Sequence, residues 1–174
     1  MAVASISLRL GKLSESFIAD ASNFLDACQT SWEWPNLTSI VLTSQLLTPR
    51  ESPTKINDML LAAATAGEKM PKLKTMELWN GYRSGNGNGS SEPAVVTCRG
   101  TWELVLQLLV TQAWEAVAVK YLGPLFTKEL LSDAISIKSH GDAILQLELS
   151  ESGSVIRPVS LQQIQMEHQV LEGV

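Results

Sequence analysis

The chain has 174 residues, 45% hydrophobic and 18% charged, with a formal net charge of −5, a profile of a folded globule with a generous core rather than a disordered tail. Thirteen scattered Lys and Arg residues set against eighteen Asp and Glu exclude the concentrated basic field that nucleic acids and anionic membrane surfaces demand. The longest uncharged apolar stretch lies between Glu103 and Glu115, short of the roughly 20 residues a bilayer core requires, so neither nucleic acid nor membrane is an expected partner.

In chain order, the start MAVASISLRLGKL lacks a basic segment ahead of its apolar residues and falls into alternation. It therefore predicts a strand over residues 3–9, with Ile6 and Leu8 on one face, and not a signal peptide. Without a secretion signal, Cys28 and Cys98 are expected as reduced thiols in an intracellular protein, cytoplasmic or nuclear. The sequons at Asn36-Leu37-Thr38 and Asn88-Gly89-Ser90 would matter only in the secretory pathway. Phe17, Ala21, Phe24, Leu25 and Cys28 form an i, i+4, i+7, i+8, i+11 stripe, predicting a helix over about 14–30.

Ile40 and Leu42 alternate as a second strand, and Ser52-Pro53 opens a helix through Ile56, Met59, Leu60 and Ala63 that Pro71 ends near Met70. Met76 and Leu78 mark a third strand, and GYRSGNGNGSSEP over 81–93 predicts a flexible loop. Val95 to Cys98 and Trp102 to Leu106 read as two short inserted strands. Trp114, Val117, Ala118, Tyr121 and Leu122 give the next helix, stopped by Gly123-Pro124. Further on, Ile135-x-Ile137 and Val155-Ile156 suggest strands, and helices are expected over about 140–149 and from Leu161 to Leu171.

Pro35 to Leu42 and Pro71 to Leu78 share Pro-x-Leu-x-(Ser/Thr)-(Ile/Met)-x-Leu at a spacing of 36 residues. Strands alternating with helices at one period imply parallel crossovers stacked side by side. The expected fold is therefore a single α/β domain over 1–174: a degenerate solenoid of parallel strands and helices with a short β insertion.

Leu37-x-x-Ile40-x-Leu42 and Leu73-x-x-Met76-x-Leu78 resemble the L-x-x-L-x-L strand signature of leucine-rich repeats, and Asn80 stands near the usual Asn position of such repeats. The stretches PNLTSIVLTS, PKLKTMELWNG, RGTWEL, IKSHGD and RPVSLQQIQ are similar to the C-terminal part of uncharacterised fungal proteins carrying an F-box-like segment ahead of a degenerate leucine-rich-repeat region. The resemblance extends over most of residues 30 to 168 and implies substrate-type recognition by the repeats. The chain begins at a repeat strand, without the F-box-like segment, so attachment to a ligase scaffold is not expected.

Catalytic readings find little anchor. Gly85-Asn86-Gly87-Asn88-Gly89 has Ser90 where G-x-G-x-x-G needs glycine, and no Gly-Lys-(Ser/Thr) occurs. His140 and His168 are the only imidazoles, no H-x-x-x-H or C-x-x-C spacing exists, and no metal or cofactor is expected. Ser14, Ser52 and Ser139 precede predicted helices as caps. A Cys98/His140 dyad is the one nucleophile–base pairing left open.

If Ile40, Leu42, Met76 and Leu78 face the core, alternation sends Ser7 and Arg9, Val41 and Thr43, Glu77 and Trp79, and Ser136 and Lys138 to the opposite side of adjoining strands. That row is the expected binding face for a protein or peptide, with Trp79 as aromatic anchor unless the inserted segment covers it. Trp102 and Trp114 are read as core. The strand at residues 3–9 would present an open edge able to pair with a second copy. A small α/β enzyme or ligand-binding domain, with its site at the C-terminal strand ends, is the competing expectation.

Overall fold

The computed structural model of the protein describes residues 2–48, 50–80, 95–100, 104–121, 127–130 and 166. It is a mixed α/β fold. Helix α1 (Ala2–Ser7) leads into strand β1 (Lys12–Asp20), helix α2 (Ala21–Asp26) and strand β2 (Ser39–Thr43). Helix α3 (Pro53–Gly67) and strands β3 (Thr75–Trp79) and β4 (Val95–Gly100) follow, then helix α4 (Leu108–Tyr121) and strand β5 (Thr127–Leu130). All five strands are parallel and lie side by side in chain order.

The two matching segments of the sequence are neighbours. Ile40 pairs with Met76 and Leu42 with Leu78, so the 36-residue spacing is the register itself. All four side chains are buried in one apolar cluster with Phe24 and Leu25 of α2, Leu60 and Ala63 of α3, and Trp114 of α4. Leu13 of β1 pairs with Ile40 and joins the same cluster.

Helix α3 starts at Pro53, whose fixed φ suits the first turn, and buries Ile56, Met59, Leu60 and Ala63 as the periodicity requires. Its preceding Ser52 makes no side-chain capping bond. Asn57, also on α3, is 1% exposed. Its amide nitrogen donates to Pro53 O (2.7 Å) and Val105 O (3.0 Å), and its Oδ1 accepts from Gln107 N (2.7 Å). A buried carboxamide is tolerated only when so satisfied, and this one fastens the segment before α4 onto α3. Trp114 and Val117 then pack within 3.7 Å of the position a Cβ would take on Gly67.

Four expectations are corrected. Residues 3–9 form no strand: Ala2–Ser7 is helical, because Ala4 and Ser7, at i and i+3, fill the buried side while Ile6 is 59% exposed. Two alternating apolar residues were too short a pattern to decide between the periods. The helix expected over 14–30 divides into β1 and α2 at Asp20, which caps α2 by accepting from Ser22 N at 2.9 Å. Ser14 is accordingly a strand residue. The segment at Val95 is no insertion but the fourth sheet strand, Thr75 pairing with Val95 and Met76 with Val96. Leu104, Val105 and Leu106 are irregular, and Val105 O accepts from Asn57 rather than from a strand partner. The expected loop 81–93 and, apart from helical Met166 within the helix expected from Leu161 to Leu171, the elements beyond 130 lie outside the described residues.

Candidate functional site

The sheet has one face against the helices and another that carries the intervening side chains. On that second face the register sets Lys12, Ser39 and Thr75 in one row and Ser14, Val41 and Glu77 in the next; Thr43 pairs with Trp79 beyond them. Val41 and Trp79 are each 3% exposed, whereas Thr43 and Glu77 are half-buried. Neither Val41 nor Trp79 belongs to the main apolar cluster, as their alternation with Ile40, Leu42 and Leu78 dictates.

Four of the eight residues expected on the binding face are thus brought together: Val41, Thr43, Glu77 and Trp79. Ser7 and Arg9 are not among them. Ser7 ends α1, fully buried, where its Oγ donates to Ala4 O (2.6 Å) and accepts from the indole nitrogen of Trp34 (2.8 Å). It serves a buried indole N–H that would otherwise lose its hydrogen bond. Arg9 is exposed in the turn after α1. Ser136 and Lys138 lie outside the described residues, as does His140 of the Cys98/His140 pair. Ser14, beside Val41, and Asp20, beside Thr43, occupy the places given to Ser7 and Arg9; the Asp20-Ala21-Ser22 capping sequence was the signal that a helix starts after, not before, residue 20.

At the C-terminal ends of the strands, polar groups hold the loops together. Asp20 Oδ1 accepts from Ser22 N and Oγ, and Oδ2 accepts from Gln45 N at 2.7 Å. Ser44 N donates to Trp79 O (2.8 Å), and Ser44 Oγ donates to Met59 Sδ (3.1 Å). Asn80 donates to Leu47 O at 3.3 Å, tying the end of β3 to the loop after β2. Glu51 accepts from Ser52 N (2.8 Å) and pairs with Lys55 at 3.2 Å. Those partners hold its carboxyl below the usual range, the Ser52 amide first.

Between α2 and α3 runs an open groove of about 620 Å³, lined by Leu25 and Cys28 on one side, Leu61, Ala62 and Ala66 of α3 on the other, and Trp34. Asp58 and Lys69 also line it. Burial pushes the Cys28 thiol up to about 11, and its Sγ donates to Phe24 O at 3.2 Å, so at neutral pH it is a protonated packing group and no nucleophile. Among the described residues, no three His, Cys, Asp or Glu side chains gather as metal ligands, and no helix is long and apolar enough to cross a membrane.

The described residues thus form a parallel α/β sheet with an open groove on its helix side. Residues 1–157 match a family of unknown function (DUF6546), and the chain belongs to that family. No curated protein and no solved structure matches it. The likeness to F-box-associated repeat proteins therefore rests on the quoted residues alone.

Proposed function

We propose that the chain is a protein- or peptide-binding module of leucine-rich-repeat type, a degenerate solenoid whose strand face meets the partner. The observation that carries the reading is the shared 36-residue register of β2 and β3 within a sheet whose parallel strands neighbour one another in chain order. Units laid down this way build an extended face from equivalent positions of successive strands. The bond from Asn80 to Leu47 O supports it, since it joins one unit to the loop of the unit before. The resemblance of its repeat segments to the recognition regions of F-box proteins agrees with this role.

Trp79 acts from beneath that face. Being only 3% exposed, its indole fixes the strand, and half-buried Thr43 and Glu77 supply the accessible contacts. The enzyme reading is weaker because, at the C-terminal strand ends, both carboxylate oxygens of Asp20 are taken by α2 and by Gln45.

Capture of bound proteins by wild type, Thr43→Arg and Glu77→Lys, with Gln112→Arg on α4 as control, tests the reading. The two strand-face variants should lose a partner that the control keeps, while thermal unfolding remains near wild type. Equal capture by all four would overturn it.

A further inference from the structure

The groove on the helix side of the molecule belongs to no part of the strand-face reading. Asp58, Leu61, Ala62, Thr65, Ala66 and Lys69 line it, positions i, i+3, i+4, i+7, i+8 and i+11, which is one continuous stripe along three turns of α3 and the residue just beyond its cap. The stripe spans about 16 Å at 1.5 Å per residue. It is open because α2 has six residues where α3 has fifteen, so the shorter helix cannot cover the flank of the longer one. Leu25 and Cys28 form the facing wall, with Trp34 below.

The charges at its two ends give the groove a direction. Asp58 lies near the N-terminal end of α3 and Lys69 just past its C-terminal end, and among the described residues neither side chain has a hydrogen-bond or ion-pair partner. Helices ordinarily carry acidic residues in the first turn and basic residues in the last, matching their dipoles. A helix laid antiparallel to α3 would put its acidic start beside Lys69 and its basic end beside Asp58, with the two dipoles opposed favourably. Laid parallel, both charge contacts would be repulsive.

We infer that this groove is a docking site for an amphipathic helix of about three turns from a partner protein, bound antiparallel to α3, with acidic residues in its first turn and basic residues in its last. Apolar side chains at i, i+3, i+4 and i+7 of that helix enter between Leu25 and Leu61, the usual mode of helix-in-groove recognition. Like-charge contacts reject the opposite orientation.

The test uses the full chain and two labelled helix-forming peptides of about 12 residues with identical apolar positions, one acidic at its start and basic at its end, the other reversed. Fluorescence anisotropy at low salt should show the first binding about fivefold more tightly, the size expected of two partly exposed charge pairs. The double variant Asp58→Lys/Lys69→Glu should invert that preference, and Thr65→Trp, which fills the groove from its exposed edge, should abolish binding of both. Equal binding of the two peptides, no binding of either, or an unchanged preference in the double variant would overturn the proposal. So would a concentration-dependent dimer that Thr65→Trp dissociates, which would give the groove to a second copy of this chain.

Discussion

The β2–β3 pair and the β1 edge of the same sheet are held in different ways. At β2–β3 five consecutive pairs keep one offset, from Ser39 with Thr75 to Thr43 with Trp79, and apolar residues on alternate positions set that register unaided. At the edge, Lys12 to Glu15 pair in step with Ser39 to Leu42, then the ladder slips and Asp20 meets Thr43. There the structure depends on individual polar bonds: Asp20 to α2 and to Gln45, and Trp34 to Ser7. A strand pair can drift in sequence where its apolar pattern is redundant, but the β1 edge depends on single residues.

The largest expected effect strikes the regular pair. Leu42→Ala removes a fully buried side chain hemmed by strands on both sides and should cost about 3–5 kcal/mol in urea denaturation. Leu13→Ala, on a strand with one described neighbour, should cost less, about 2–3 kcal/mol, because an edge collapses more readily onto a void. Equal costs would break the contrast. Next in size, Asp20→Ala should lose about 1–2 kcal/mol with its cap, and Asp20→Asn should recover part of this, since the amide oxygen still accepts one backbone N–H.

The smallest effect concerns reactivity. With its thiol raised from 9.0 to about 11, Cys28 keeps its proton at pH 8, and its thiolate fraction there is about a hundredfold below that of an unperturbed thiol. Alkylation followed by peptide mass spectrometry should find Cys28 slow at pH 8, and accelerating as pH climbs through 9 toward 11. The sign follows from burial favouring the neutral form: folding stability from this group is intact below pH 9 and declines as pH approaches 11.

The repeated segments were readable from the amino acids because strand identity and register were both written in one eight-residue pattern, and α3 because Pro53 and its apolar stripe agreed. The first unit was misread because Phe17 happens to fall four residues before Ala21, extending a helical stripe backward through what is β1. Burial of Trp79 could not be inferred from alternation, which gives the side of a strand but not what lies over it. The placing of Asn57 was equally hidden, since its partners Val105 and Gln107 lie 48 and 50 residues away.

That asparagine also governs how the molecule comes together. Until the chain around 105–107 arrives, a carboxamide destined for the interior keeps its hydrating water, so α3 gains little by docking early. Once the segment is seated, pulling it off would strand a donor and an acceptor in a dry place. The two stretches should accordingly open and close in concert, making assembly all-or-none across a long span of sequence that apolar packing alone would let fray.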